Sequence, residues 1–276
     1  MERYRSWLFA PGDVADRCLK ALHSNADQVI WDLEDAVPVS HKDQARDTLL
    51  RLLAEVPGDR VPWIRINDLE DLSALWPHQR WVVPKMDQTR LEQLHRQIPS
   101  DLSHREWVFI IESARGLWDL SHAATPWHLF GDPIRLAFGS LDYLNDIGAQ
   151  ATPEELELLG PRTLLPWVSR AWNWPGPIDT VFPYLDDKDQ FTLSTQRGRT
   201  MGFQGRLIIH PQQIAPVNRI FMPSDAERQW AEQIVTQSEQ AGAVRIGGEM
   251  VDRPVLERAR RILETAKQHP MTKEDV

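Results

Sequence analysis

The sequence predicts an α/β fold, a (β/α)8 barrel with a helical lid at its C-terminal end. Two observations lead to this fold class: short apolar segments recur along the first 222 residues, and stretches with helical spacing separate them. The segments are rich in Val, Ile and Trp and mostly lack polar alternation, as expected for parallel strands covered on both faces. A doubly wound open sheet is the alternative architecture.

The candidate strands, in chain order, are SWLFAPG, DQVIWDLED, PWIRIN, RWVVPK, WVFIIES, IRLAFGSLD, IDTVFP and RLIIHP. Helices are expected at VADRCLKALHSN, QTRLEQLHRQI, PEELELLGPRTLLPWVSRAW and KDQFTLSTQRGRTMG, where apolar residues recur three and four positions apart. Asp13 is placed to cap the first of these helices. Five tryptophans in the strand candidates are expected in the core: Trp7, Trp31, Trp63, Trp81 and Trp107.

The segment from Pro223 onward departs from this rhythm. SDAERQWAEQIVTQSEQAGAV and VLERARRILETAKQH have the pattern of amphipathic helices, and IGGEMVDRP between them is expected to be a loop. The division is therefore a barrel over residues 1–222 and an appended lid over residues 223–276. Gly247 and Gly248 would let the loop that carries Asp252 move.

Composition excludes several classes of protein. The chain has 276 residues and a formal charge of -9, and without a Lys/Arg-rich run it does not suit nucleic acid. The single Cys18 excludes an internal disulfide framework and fits a reducing compartment. Since no apolar run approaches the roughly 20 residues that span a bilayer, we expect a cytoplasmic protein that does not enter membranes.

Polar side chains fall at or just past the ends of the candidate strands. Because the carboxyl ends of barrel strands meet on one face, where the active sites of such enzymes lie, residues distant in sequence would surround one pocket. These residues are Asp32, Glu34, Arg65, Asn67, Lys85, Glu112, Asp142 and His210.

The stretch VIWDLEDAV crowds Asp32, Glu34 and Asp35 into four positions. Two carboxylates about 4 Å apart repel by about 4 kcal/mol at an effective dielectric near 20. One interpretation is that these side chains cap the next helix. The other is that a cation lies among them.

The second interpretation points to a metal site built from oxygen ligands. Glu112 and Asp142 as direct ligands, with Glu34 and Asp35 behind them, would select Mg²⁺ or Mn²⁺. Arg65 would add a buried cation able to stabilise an enolate or carboxylate oxygen.

Several motifs in fixed order resemble the citrate lyase β-subunit-like enzymes, a group that includes the malyl-CoA and citramalyl-CoA lyases. They are RSWLFAPG, ADQVIWDLEDAV with Lys42 and Arg46 after it, RIN, VVPK, IIES, FGSLDY, DIGA, GFQGRLIIHPQQI and GEMVDRP. The resemblance implies a Mg²⁺-dependent barrel lyase, a homotrimer or a multiple of a trimer. Such an enzyme cleaves a 3-hydroxyacyl-CoA into acetyl-CoA and a 2-oxo acid.

The resemblance also implies roles at matching positions. Glu112 and Asp142 would hold the metal, Glu34 and Asp35 would hold waters around it, and Arg65 would stabilise the thioester enolate.

Three further roles concern the acetyl group and the coenzyme A part of the substrate. Asp252, contributed across a subunit boundary in relatives, would move the proton on the acetyl methyl group. Phe9 and Lys20 would contact coenzyme A. The backbone around IIHPQQ, with His210 and Pro211, would line the pantetheine channel.

Two departures from the resemblance bear on the substrate. Val14 stands where malyl-CoA lyases tend to have an arginine near the coenzyme phosphates, and Arg17 or Arg5 would have to substitute. The compact stretch between Asp146 and Ile178 lacks the long insertion of malyl-CoA lyases and favours the citramalyl-type or the general citrate lyase-like branch, with pyruvate as the oxo acid.

Three alternatives stay open at the level of sequence. One is the β subunit of a citrate lyase complex that takes its acyl group from a carrier protein, which would explain Val14. Another is a pyruvate-type class II aldolase that works without coenzyme A. The last is a catalytically silent acyl-CoA binding protein.

Overall fold

The computed structural model describes residues 4–58, 60–75, 78–97, 105–122, 127, 134–241, 244–246 and 249–268. Eight parallel strands close into a barrel in sequence order, and the eighth pairs with the first. The predicted barrel is confirmed, and the open sheet is excluded. The strands are β1 (Ser6–Pro11), β2 (Gln28–Asp32), β3 (Trp63–Arg65), β4 (Arg80–Val83), β5 (Glu106–Ile111), β6 (Ile134–Phe138), β7 (Ile178–Asp179) and β8 (Gly205–Ile208).

Helices connect the strands on the outside of the barrel, as the apolar spacing predicts. They are α1 (Ala15–Leu22), α2 (Lys42–Glu55), α3 (Glu70–Ala74), α4 (Gln88–Gln97), α5 (Ala114–His122), α6 (Ser140–Ile147), α7 (Leu159–Ala171), α8 (Lys188–Met201) and α9 (Ile214–Phe221). Short 3₁₀ turns at Val39–His41, Leu156–Leu158 and Pro211–Gln213 precede α2, α7 and α9. None of the helices in the described ranges is long and apolar enough to cross a membrane.

The core has two layers, because successive strand residues point alternately into the barrel and toward the helices. Trp7 and Trp63 fill the lumen, with ring centroids 5.2 Å apart. Trp31, Trp81 and Trp107 point outward and pack under the helices. All five are at most 3% exposed, as predicted. Burying about 200 Å² of each ring system stabilises the fold by up to about 5 kcal/mol.

One expected helix cap is wrong. Val14 holds the N-cap position of α1, and its side chain makes no capping hydrogen bond. Asp13 instead pairs with Nδ1 of His41 at 3.0 Å, which ties the loop after β1 to the turn before α2. This long-range contact replaces the local cap because α2 packs beside α1 and brings His41 within reach.

The C-terminal segment contains the two predicted helices, α10 (Asp225–Ala241) and α11 (Arg253–Gln268). The stretch between them, expected as a loop, includes two short antiparallel strands, β9 (Val244–Ile246) and β10 (Glu249–Val251), so that expectation is wrong in part. Gly247 and Gly248 lie outside the described residues.

The C-terminal segment attaches to the barrel near the amino ends of the strands. Arg199, in the last turn of α8, pairs with Glu227 in the first turn of α10 at 2.8 Å. Helices that follow parallel strands run back toward the strands' amino ends, so the end of α8 lies on that side. The segment has a small core of its own around Ala231, Ile234, Val251 and Ala259.

Candidate functional site

Asp32 organises the carboxyl end of the barrel at β2 and β3. It is the last residue of β2, and its side chain is fully buried. Its Oδ1 accepts hydrogen bonds from Nε of Arg65 at 2.6 Å and from the N–H of Glu34 at 2.8 Å. Its Oδ2 accepts from Nη2 of Arg65 at 2.5 Å and from the N–H of Ala36 at 2.9 Å. One carboxylate therefore fixes both the guanidinium and the turn that follows β2.

Arg65 ends β3 and meets three carboxylates. Beside the pair with Asp32, its Nη1 lies 3.0 Å from Oε2 of Glu34 and 3.4 Å from Oδ2 of Asp35. Its Cζ lies 4.6 Å from the centre of the Phe9 ring, in cation–π contact. Burial alone lowers the pKa of Arg65, but the carboxylates outweigh burial and raise that pKa. The guanidinium is thus a fixed positive charge.

Glu34 lies between two cations of the chain. Its Oε1 pairs with Nζ of Lys85 at 2.7 Å, and its Oε2 faces Arg65. Burial raises the pKa of Glu34, and both cations oppose that rise. Lys42 donates from Nζ to the carbonyl oxygens of Leu33 and Glu34, at 2.5 Å each.

These contacts revise both interpretations of VIWDLEDAV. Asp32 does accept backbone N–H groups, but those of the turn after β2 rather than of the first turn of a helix. The crowding of carboxylates is offset by Arg65 and Lys85, so it does not by itself require a metal ion.

Lys85 also contributes its backbone. It adopts a left-handed conformation with φ of 54°, which costs a residue with a side chain about 1 kcal/mol or more. In that conformation its N–H donates to Oε1 of Glu112 at 2.6 Å. The strained turn after β4 therefore positions the carboxylate that follows β5.

Glu112 is the most perturbed carboxyl group of the site. It is 5% exposed, and a Cβ atom at Gly139 would lie 2.5 Å from its Oε2, so only glycine fits there. Burial, together with the charges of Glu34 and Asp142, raises the pKa of Glu112 to about 8, although the Lys85 N–H opposes the rise. Asp142, in the first turn of α6, is therefore a close electrostatic neighbour of Glu112.

This geometry fits a hydrated divalent ion. In the described part of the chain no three Asp, Glu, His or Cys side chains converge on one point, so a cage made only of protein is absent there. Magnesium needs only one or two protein carboxylates. Glu112 and Asp142 could supply them. In addition, Oε2 of Glu34 is buried, and its 3.0 Å contact with Nη1 of Arg65 does not have hydrogen-bond geometry.

The remaining predicted site residues are more dispersed. Phe9 lies under Arg65, as described above. His210 is exposed, and its Nδ1 accepts from the N–H of Gln212 at 3.2 Å, at the start of the 3₁₀ turn that Pro211 opens after β8. Lys20 lies on the outer surface of α1 and pairs with Asp16, one helical turn away, at 2.8 Å.

Two further positions are not joined to this cluster by any contact among the described residues. Asp252 is exposed and its Oδ1 accepts from the N–H of Val255 at 3.3 Å, at the start of α11. Arg5 cannot take the place of a phosphate-binding arginine at the mouth. It precedes β1 at the amino end, is buried, and pairs with Asp27 at 2.8 Å.

Sequence reasoning missed two contributors. The sequence placed Asp32 and Lys85 near the pocket, but it did not predict that Asp32 holds Arg65 or that the backbone N–H of Lys85 donates to Glu112. The final position of Asp32 in an otherwise apolar strand was the available signal for the first. No sequence pattern marks the left-handed backbone of Lys85.

Comparison with known proteins finds relatives of this chain over nearly its whole length. The sequence model of the family described as HpcH/HpaI aldolase/citrate lyase matches residues 5–211. A citrate lyase subunit beta-like protein of Deinococcus radiodurans is 32% identical, over 94% of this chain and 96% of the relative. The mitochondrial citramalyl-CoA lyase of Homo sapiens is 27% identical, over 92% of this chain and 83% of the relative.

A solved structure agrees with the fold over nearly the whole chain. It is that of CitE from Mycobacterium tuberculosis in complex with magnesium, acetoacetate and coenzyme A. The TM-score is 0.79 and the identity is 26%, with 96% of this chain and 98% of that chain covered. The resemblance drawn from the motifs is confirmed.

Proposed function

We propose that this chain, which belongs to the HpcH/HpaI aldolase/citrate lyase family, cleaves a citramalyl-CoA-type or malyl-CoA-type thioester into acetyl-CoA and a 2-oxo acid. The chain is a carbon–carbon lyase of the citrate lyase β-like kind. The observation that carries the proposed substrate class is that a buried Glu112, without an ion-pair partner among the described residues, lies at the same mouth of the barrel as the fixed charge of Arg65. Such a site suits a negatively charged oxygen that forms beside a divalent cation.

Glu112 and Asp142 are the residues we assign to hold Mg²⁺, or Mn²⁺ in its place. When bound, the ion supplies a Lewis acid for the hydroxyl and carboxylate oxygens of the substrate. Magnesium and coenzyme A in the CitE complex support this assignment. Gly139 and the Lys85 N–H fix the Glu112 carboxylate in the required place.

Arg65 stabilises the enolate. Its Nε and Nη2 are engaged by Asp32, whereas Nη1 makes only the longer contacts with Glu34 and Asp35. Nη1 is therefore the donor that can turn to a substrate oxygen. Asp32 acts as a positioning residue for it.

The reaction breaks the bond between the thioester's α-carbon and the carbon that bears the hydroxyl group. The hydroxyl proton leaves through water held by Glu34 and Asp35, and the hydroxyl oxygen becomes the carbonyl oxygen of the 2-oxo acid. The electron pair of the broken bond forms the thioester enolate beside Arg65. Asp252 then delivers a proton to the α-carbon, which yields acetyl-CoA.

Asp252 performs this step from a neighbouring subunit. In the single chain, Asp252 caps the start of α11, and the segment that contains it attaches at the amino end of the barrel. This placement calls for more than one subunit, and on the motif resemblance we propose a homotrimer, or a multiple of one, as the active form. Light scattering coupled to gel filtration measures the assembly, and a monomer with full activity would contradict the shared site.

The test is a cleavage assay with citramalyl-, malyl- and methylmalyl-CoA, each with Mg²⁺ and with EDTA. We expect magnesium-dependent release of acetyl-CoA from at least one thioester. Glu112→Gln should lack this activity, whereas the matched control Glu92→Gln, on the exposed face of α4, should retain it. Release of no acetyl-CoA from any of the three would refute the proposal.

A second candidate is a β subunit that acts on a carrier-bound acyl group. It is favoured by Val14, which is exposed at the start of α1 and offers no cation to the coenzyme phosphates. Cleavage of a carrier-bound citryl group without cleavage of the coenzyme A thioesters would favour this candidate.

A third candidate is an aldolase that does not use coenzyme A. Cleavage of a free hydroxy-oxo acid, without acetyl-CoA binding in calorimetry, would favour it.

A further inference from the structure

A cavity of about 750 Å³ lies between α11 and the amino end of the barrel. Arg5 before β1, Gly176 before β7 and Gln204 before β8 line one side of it. Residues of α11, among them Arg258 and Arg261, line the other. The cavity is thus at the end of the barrel opposite to Glu112. We propose that it binds a small polyanion that carries phosphate or carboxylate groups.

The lining is cationic in a protein whose formal charge is -9. Five arginines and one carboxylate, that of Glu227, line the cavity. Clustered positive charge in a partly enclosed space raises the local concentration of anions. The five are Arg5, Arg170, Arg199, Arg258 and Arg261.

Intramolecular contacts account for three of these arginines. Asp27 engages Arg5, and Glu227 engages Nη2 of Arg199 with both oxygens at 2.8 Å. Arg258 stacks 4.9 Å from the ring of Trp230, which orders the side chain, and no carboxylate of the described residues forms an ion pair with it.

Arg170 and Arg261 make no ion pair with any residue in the described ranges. Arg170 belongs to the last turn of α7 and Arg261 to α11, so the two come from opposite walls of the cavity. Both are exposed, so they are free to turn toward a ligand. Planar guanidinium groups match the oxygens of phosphate and carboxylate groups.

An unpartnered hydroxyl group provides an independent observation. Ser169 lines the same cavity, is 1% exposed, and its Oγ has no hydrogen-bond partner among the described residues. A buried hydroxyl without a partner costs about 1 to 3 kcal/mol. An anion oxygen held by the neighbouring Arg170 would satisfy this donor.

A ligand held in this way would link α7 of the barrel to α11. Since α11 begins directly after Asp252, its occupancy would restrain the segment that carries that carboxylate. A metabolite bound in this cavity would thus alter the position of the C-terminal segment. Its binding does not depend on the lyase activity proposed for the other end.

Isothermal titration calorimetry tests the proposal. Pyrophosphate and citrate are titrated separately into the full chain in EDTA, so that neither acts through a divalent ion. We expect saturable binding of at least one, and the stronger arm identifies the phosphate or the carboxylate class. Removing two cationic donors in Arg170→Ala/Arg261→Ala should weaken binding about tenfold or more.

The matched control is Arg260→Ala, the exposed neighbour of Arg261 on α11 that does not line the cavity. It should bind as tightly as the unmodified chain, and so should Glu112→Gln, which separates this site from the proposed lyase. Circular dichroism checks that each variant is folded. Absence of saturable binding by both probes, or equal binding by the double variant and Arg260→Ala, would overturn the proposal.

Discussion

The substitution Asp32→Asn removes the charge opposite the Arg65 guanidinium and keeps the size of the side chain. An amide oxygen can accept only part of the present set of four hydrogen bonds, and the amide NH₂ would face donors. Leaving one partner of a buried ion pair uncompensated costs about 3 to 5 kcal/mol. Because Glu34 still lies 3.0 Å from Arg65, we expect the lower end, about 3 kcal/mol.

Differential scanning calorimetry measures this loss. At about 2 to 4 °C per kcal/mol for a domain of this size, the midpoint of unfolding should fall by about 6 to 12 °C. The matched control is Asp35→Asn, because that side chain is 62% exposed and 3.4 Å from Arg65. Such a contact contributes at most about 1 kcal/mol. Equal shifts in the two variants would refute the role assigned to Asp32.

Three further predictions concern the metal site and the proton transfer. The pKa of Glu112 is raised from 4.5 to about 8, so the metal-free protein should lose stability as the pH rises from 4.5 to 8. Mg²⁺ should stabilise the protein more at the upper end of this range. Thermal melts measure both effects, and Glu112→Gln should flatten both. Gly139→Ala should displace the Glu112 carboxylate and weaken Mg²⁺ binding in calorimetry about tenfold or more, whereas Gly160→Ala, which meets no atom within 4 Å, should not. Asp252→Asn should slow deuterium exchange into acetyl-CoA, followed by mass spectrometry, more than it weakens Mg²⁺ binding; equal losses would count against its assigned role.

The barrel was predictable because its strands carry a strong physical signal. A parallel strand covered on both faces is almost wholly apolar, so segments such as VVPK and WVFIIES stand out between helical stretches. Local details were less predictable. The Asp13–His41 pair depends on α2 packing near α1, and the hairpin before Asp252 is too short to show strand periodicity. The first depends on a contact between residues 28 positions apart, whereas the second is a local pairing of two three-residue strands.

The location of the site at the barrel mouth was predictable from the sequence, but the contacts between its side chains were not. Barrel closure brings strand ends together, so Glu34, Arg65 and Glu112 had to face one mouth. Which carboxylate pairs with which cation depends on side-chain direction, and sequence spacing does not encode it. The left-handed turn at Lys85 is likewise set by the tertiary contact with Glu112.

The balance of charge at the mouth indicates where a divalent ion belongs. Arg65 and Lys85 neutralise Asp32 and Glu34 through direct ion pairs. Glu112 receives only a neutral N–H, and neither it nor Asp142 has an ion-pair partner within the described ranges. Burial and the charges of Glu34 and Asp142 raise the pKa of Glu112, and the Lys85 N–H and the charge of Arg65 oppose that rise only in part, so the carboxyl group tends to hold a proton. A cation at Glu112 and Asp142 would replace that proton, whereas a cation beside Asp32 would compete with Arg65 for charge already balanced.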